Sequence, residues 1–518
     1  MKLYTEDLQG KGIVTIESTK TDQYMDGKLF IDGHEVDKDL VIGTYDDNAD
    51  FLKPICIIGF IMISLLVAFI YYIIFIKKCK IESVFIIVAL FMGILYGVII
   101  TPYSNYDEEA HFNTAYRHSN TLLGIDNGEE KGDKEILKRN IDTASGLANG
   151  RSTISTYKKV CTEFFSTDNY STLEPIYSTY VKEAEYVYTP TILAISIGRI
   201  LHFGQVPLLM FGKLCYLLFY VMITYFAKKK IPFGKNVLFT VALLPMALSQ
   251  AASFSYDAFI NAIVFLFTSY CIYIIFKKED ICSKDYIIFA IAAFLLAPLK
   301  KVYVLLCFIS LLIPQKRFKN KKRYIATIGC FMFLIVVWYC FINFREVSTI
   351  VSNESTTIST YTFGDVKAAP LFFAKLIFKS MFELSYDLLE CSIISFFYVT
   401  PNHLLAFLFI ILLLVSTIKD DEEKTFINCK QRIFISIILI GLIMSIFLAA
   451  ITWTNVISPV IEGVQGRYFL PILPLILLLF RNSKVVFKKG ISKQIMICTV
   501  VLHVITAIDL FFTLLSYS

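Results

Sequence analysis

The chain has 518 residues, 56% of them hydrophobic and 15% aromatic, and a mean hydropathy of +0.63. Charged residues make up 18%, against about a quarter in an ordinary soluble protein, and they cluster between long apolar runs. The net charge of +6 comes from Lys/Arg clusters beside those runs, the pattern of cytoplasmic span ends, so neither a soluble fold nor a nucleic-acid partner is expected.

Residues 1–53 carry twelve Asp/Glu against six Lys and no Arg. Gly12–Glu17 and Lys28–Val36 alternate in polarity and are punctuated by two Asp-Gly pairs, which predicts short strands and turns in a small acidic extracytoplasmic module. The first twenty residues hold no apolar stretch, so no cleaved leader is expected. Residues 54–80 hold an N-terminal transmembrane helix, with its span at 54–76. Residues 81–518 form the main transmembrane domain, with spans expected near 82–101, 206–227, 236–254, 257–276, 286–299, 302–314, 324–342, 402–418, 433–453, 469–480 and 495–515. The fold class is therefore an all-α polytopic membrane protein of about 12–13 transmembrane helices. Several runs are shorter than the roughly 20 residues of a straight crossing. One pair of them turns at Pro298-Leu299-Lys300-Lys301.

The basic clusters Lys77–Lys80, Lys228–Lys235, Lys277–Lys284, Lys316–Arg323, Lys419–Arg432 and Arg481–Lys493 are expected in the cytoplasm. The acidic N-terminus, the large loops 103–186 and 343–401 and the loop 454–468 then lie outside a cell membrane. Residues 187–203 read as a short, partly inserted helix, and 370–400, interrupted by charges, as an interfacial one. No internal repeat of fixed period is visible, which disfavours a transporter built from matching halves. Twelve cysteines lie mostly in apolar runs without a CxxC pair, so neither zinc nor a disulfide framework is expected.

Four constellations fall at expected outer span ends. Asp107-Glu108-Glu109-Ala110-His111 follows the span at 82–101. Asp107 and His111 share a face if the segment is helical, and a carboxylate at a low-dielectric boundary suits a general base or a ligand of a divalent cation. Gln250–Asp257 sets a carboxylate in a Ser-rich turn between apolar runs, where ionisable groups are costly and often functional. Lys300-Lys301-Val302-Tyr303 and Gln465-Gly466-Arg467-Tyr468 place cations on the side that the charge rule disfavours, and a phosphate is the natural counter-ion.

The series Pro102…Asp107-Glu108…His111-Phe112, Tyr188-Thr189-Pro190, Gly198-Arg199, Leu243-Leu244-Pro245-Met246, Gln250–Ser253, Tyr256-Asp257, Lys301-Val302-Tyr303 and Gln465–Pro471 resembles the DUF2142 family of bacterial multi-spanning membrane proteins. It covers about residues 85–480. Two departures stand out: a span and an acidic module precede the usual first helix, and Tyr103-Ser104 replace the second proline of the signature. The family in turn resembles GT-C glycosyltransferases, which use polyprenyl-phosphate sugars and carry an acidic residue in the first large outer loop and a second in a later one. The resemblance implies that Asp107 or Glu108 is the general base, with His111 orienting it. Asp257 would bind the acceptor or a divalent cation (Mg or Mn) shared with Asp107. Lys300, Lys301 and Arg467 would receive the donor phosphate with Gln465 beside them, and Tyr188 and Tyr303 would stack on sugar or prenyl. The expected partners are a polyprenyl-phosphate sugar donor, a cell-surface glycan acceptor and membrane lipid. The alternatives are a non-enzymatic lipid-linked glycan flippase or transporter, or a membrane scaffold.

Overall fold

The computed structural model describes residues 49–127, 135–143, 147, 152–169, 171–177, 185–277, 282–318, 320–347, 360–396, 399, 402–420, 427–482, 485–487 and 490–516, together with 16–18, 29–31, 34–36 and 40–42. These fall into two compact units, Met1–Phe69 and Ile70–Ser518. In the first, β1 (Ile16–Ser18) pairs antiparallel with β4 (Leu40–Ile42). β2 (Leu29–Ile31) pairs with β3 (His34–Val36), Ile31 opposite His34 on either side of the Asp32-Gly33 pair. Most of the expected strand Gly12–Glu17 lies outside the described residues. α1 (Ala49–Tyr71) follows, with Pro54 inside it, where the missing N–H gives up one helical hydrogen bond. The unit boundary thus falls inside this helix, not at residue 53.

The second unit is a helical bundle. Among the described residues of the whole chain, seven helices are long and apolar enough to cross a membrane: Phe51–Ile76, Ile81–Ile99, Gln205–Lys230, Asp257–Phe276, Lys321–Cys340, Cys429–Trp453 and Ile491–Leu515. They include α2 (Ile81–Ile99), with α3 (Glu108–Leu122) following it. The segment expected as one span at 236–254 is instead two short helices, Lys235–Ala242 and Pro245–Ala251. Its break is at Leu244-Pro245, because proline lacks an N–H and takes the first position of a new helix. The short run expected at 302–314 is a 3-10 helix, Tyr303–Leu312. At about 2.0 Å per residue it reaches roughly a third further than an α-helix of the same length, which lets a short run go deep.

A small strand-and-helix module follows α3. β5 (Glu135–Arg139) pairs antiparallel with β6 (Leu173–Tyr177), bracketing α4 (Asn140–Thr143) and α5 (Ile154–Glu163). Its buried centre is ionic. Arg139 donates to Asp142 at 2.7 and 3.0 Å and to Asp168 at 3.1 Å, and the Tyr116 hydroxyl donates to Asp142 at 2.8 Å. Full pairing is what makes such burial tolerable. α6 (Thr189–Ile200) packs on α3 and on α7 (Gln205–Lys230). Its twelve residues reach about 18 Å, short of a crossing.

The remaining helices are α8 (Lys235–Ala242), α9 (Pro245–Ala251), α10 (Asp257–Phe276), α11 (Ser283–Leu296), α12 (Lys321–Val347), α13 (Phe363–Ala368), α14 (Pro370–Glu383), α15 (Ser385–Ile393), α16 (His403–Ser416), α17 (Cys429–Ala450), α18 (Leu473–Phe480) and α19 (Ile491–Ser516). α14 is two-faced. Phe373, Leu376 and Ile377 pack against Phe447, Ile451 and Ile461, whereas Leu371, Phe378 and Phe382 are exposed beside Lys375 and Lys379. That division suits a helix lying at a membrane interface. Polar bonds join spans as well: the Tyr96 hydroxyl of α2 and His503 Nδ1 of α19 lie 2.9 Å apart.

Candidate functional site

Four chain segments meet at the end of the bundle opposite Lys77–Lys80 and Lys228–Lys230: the loop Thr101–Asp107 after α2, the turn before α10, the turn after α11, and residues 465–468. Each is held by its neighbours. Asn105 donates from its side-chain amide to the Ser249 carbonyl (3.3 Å) and accepts from the Ser249 hydroxyl (3.1 Å). At Gly466 an added Cβ would stand 2.2 Å from the Leu388 carbonyl oxygen, so only glycine lets residues 465–468 lie directly on α15. Four of the six non-glycine residues with positive φ among the described residues are here: Tyr103 (65°), Asp107 (52°), Lys300 (43°) and Lys301 (54°). Each such conformation costs about 1–3 kcal/mol and such strain concentrates at functional sites.

The side chains converge on Asp257. Lys300 Nζ lies 2.6 Å from its Oδ1, Arg467 Nε 3.3 Å from its Oδ2, and Gln250 donates to Oδ2 at 3.2 Å. Asn261 donates to Gln250 at 2.9 Å and so orients it. Arg467 also donates through Nη2 to Asp107 Oδ2 at 3.1 Å. Asp107 is the N-cap of α3, where an aspartate ordinarily accepts from the helix backbone. Here its carboxylate makes no cap bond and turns to Arg467 instead. The Lys300 ammonium sits over the rings of Tyr468 (3.8 Å) and Tyr256 (5.0 Å), and Arg467 over Tyr106 (4.8 Å).

Exposure separates the roles. The side chains of Arg467, Asp257 and Lys300 are 5, 8 and 15% exposed, and that of Asp107 is 59% exposed. Asp107 is therefore the carboxylate of this cluster that a ligand can reach. Asp107 and Asp257 balance Lys300 and Arg467, so these four charges sum to zero. Lys300 and Arg467 thus have counter-ions within the chain, and Lys301 is exposed at the same turn.

The other expected residues are placed differently. Glu108 points away from the cluster into the interior, 3.7 Å from Lys213 Nζ. Burial pushes its carboxyl above the ordinary range, against the pull of the Lys213 ammonium. His111 does not bond the Asp107 carboxylate: its Nδ1 and the Tyr188 hydroxyl are 2.8 Å apart, and its ring meets Tyr256 edge-on at 5.0 Å. Tyr188 and Tyr303 are buried, the Tyr303 hydroxyl donating to the Tyr468 carbonyl at 2.8 Å. Neither ring offers a free face, so the stacking expected of them is corrected to a packing role. Asp107 and Asp257 do not fit a shared divalent cation either, because the Arg467 guanidinium already bridges them. Among the described residues no group of three or more His, Cys, Asp or Glu could hold a metal.

Burial lowers the His111 pKa from 6.5 to about 4, with Asp257 and Asp107 pulling the other way. Between those values the unfolded chain binds the extra proton, so His111 costs stability as pH falls from 6.5 towards 4 and costs nothing above 6.5. The full effect is on the order of 3 kcal/mol. His111→Gln is expected to flatten this part of the melting-temperature profile in detergent; an unchanged acid slope would contradict the assignment.

Sequence reasoning passed over Lys213, the partner of Glu108, and Tyr106, whose ring supports Arg467. Lys213 carried a signal, being a lone cation inside an apolar span.

These features define a polytopic α-helical membrane protein with a charged cluster at one end of its bundle. The chain belongs to the DUF2142 family, described as a predicted membrane protein, whose profile matches residues 90–476. No curated protein and no solved structure matches the chain.

Proposed function

We propose that the protein is a membrane glycosyltransferase of GT-C type, moving a sugar from a polyprenyl-phosphate donor to a hydroxyl of a cell-surface glycan on the extracytoplasmic side. The observation that carries this reading is the exposed Asp107 carboxylate, strained in backbone and fixed by Arg467 beside two lysines. In the reaction the acceptor oxygen attacks the anomeric carbon and the carbon–oxygen bond to the phosphate breaks. Asp107 takes the hydroxyl proton as general base. The prenyl phosphate leaves with the electron pair, and Lys301 with Lys300 offsets its growing charge. Asp257 positions: it anchors Lys300 and Arg467, which in turn aim Asp107. No step is assigned to a metal. The reading is tested with purified protein in detergent and synthetic prenyl-phosphate sugars offered with glycan acceptors. Sugar transfer that Asp107→Asn removes is expected; a wild type inert with every donor would refute it.

The orientation rests on the basic clusters at the opposite end of the bundle, and native cysteines test it. Cys161, Cys282 and Cys429 are all exposed. Cys161 lies in α5, in the module that the orientation puts outside, whereas Cys282 and Cys429 lie beside basic clusters. A membrane-impermeant maleimide on intact cells is expected to label Cys161 and to spare Cys282 and Cys429. The reverse pattern would invert the site.

A further inference from the structure

Beside the charged cluster lies a cavity of about 140 Å³, between α15 and residues 464–467. Its lining includes Tyr106, Asp387, Cys391, Gln465 and Arg467. Two of these residues carry buried polar atoms with no hydrogen-bond partner among the described residues: Nη1 and Nε of Arg467, both donors, and Oε1 of Gln465, an acceptor. Nη2 is hydrogen-bonded to Asp107, and Nε lies 3.3 Å from Asp257 Oδ2 as an ion pair without a hydrogen bond. An unmet buried polar atom costs about 1–3 kcal/mol, so two such residues in one hollow mark a place that something else completes. Most of the lining is apolar, with Met246, Leu384, Leu388 and Val464, so whatever enters must pack against aliphatic side chains and still satisfy these few polar atoms.

Their chemistry selects the ligand. A carboxylate would satisfy Arg467 but offer nothing to Gln465 Oε1, and the Asp387 carboxylate would repel both it and a phosphate. A cation would meet Arg467 head on. A hydroxyl both donates and accepts, so a neutral polyol can accept from Arg467 Nη1 and donate to Gln465 and to the exposed Asp387. The guanidinium that would hold one such hydroxyl also holds Asp107, which brings the ligand beside the proposed base.

We propose that this cavity seats the carbohydrate end of the acceptor, a neutral, hydroxyl-rich sugar ring. The name acceptor rests on the transferase reading; the carbohydrate binding does not.

Cys391 reports on the cavity without any turnover. Burial raises its thiol pKa, so its alkylation is slow and sensitive to coverage. The experiment follows N-ethylmaleimide modification of Cys391 by peptide mass spectrometry in the purified full-length protein. The probes are the methyl glycosides of common hexoses and 6-deoxyhexoses, with inorganic phosphate as the anionic comparison and exposed Cys161 as the internal control. At least one glycoside is expected to slow Cys391 modification while leaving Cys161 unaffected, and phosphate is expected not to. Gln465→Leu keeps the bulk but removes the acceptor. It should raise the glycoside concentration for half-protection about tenfold, the factor that one such hydrogen bond is worth. Protection by no glycoside, or equal protection by phosphate, overturns the proposal. Glycoside protection in a protein inert with every prenyl-phosphate sugar supports the cavity and removes the transferase reading alone. Transfer without glycoside protection does the opposite.

Discussion

Asp107→Asn is expected to lower sugar transfer by about 10²–10⁴-fold, the usual worth of a positioned general base, with little change in melting temperature. The carboxylate is 59% exposed and makes one bond of 3.1 Å to Arg467, so the amide keeps its shape and can still accept from that guanidinium. Exposed ion pairs contribute little to stability. Glu108→Gln separates a structural acid from a catalytic one. It leaves Lys213, 4% exposed, without its counter-charge, so its main effect should be on melting temperature and yield. The checks are transfer rate and thermal unfolding on the same preparations. An Asp107→Asn enzyme with full activity would remove Asp107 from the chemistry.

The second large effect is expected at Asp257. This one carboxylate receives Lys300 at 2.6 Å and Arg467 at 3.3 Å, all three side chains being mostly buried. Removing one partner of a buried pair typically costs about 3–5 kcal/mol. Asp257→Asn should therefore unfold at clearly lower temperature and lose transfer, because Lys300 and Arg467 are released together. Arg467→Lys should rescue neither property fully. An ammonium cannot span Asp107 and Asp257 as the planar fork does. A melting temperature unchanged in both variants would show that the cluster does not hold these segments.

The membrane class and most helices were legible because apolar runs and basic flanks are local signals. What escaped depends on backbone chemistry or long-range packing. The run 236–254 reads as one span by hydropathy, yet Pro245 starts a new helix. The run 302–314 is apolar enough for a span but too short as an α-helix, and the 3-10 form of Tyr303–Leu312 is what hydropathy cannot report. At the site, Asp107, Asp257, Lys300 and Arg467 could be singled out, since each sits at a span end where its charge is unusual. Their pairing could not, because the two carboxylates and the two cations are up to 360 positions apart. For the same reason Lys300 and Arg467 looked in need of an external anion, whereas Asp107 and Asp257 supply one each. Glu108 adjoins Asp107 in sequence, but consecutive residues on a helix face different ways, and it points to Lys213. Tyr188 and Tyr303 looked available for stacking because burial leaves no mark on an aromatic residue in an apolar run.

The central claim, sugar transfer at the Asp107 cluster, is tested most directly by mass spectrometry of surface glycans. The cells compared lack the gene and are complemented with wild type or with Asp107→Asn at equal protein level. The account predicts that one sugar is missing without the gene, restored by wild type and still missing with Asp107→Asn. Unchanged surface glycans, or complete lipid-linked glycan accumulating inside the cell, would contradict it, the latter in favour of flipping.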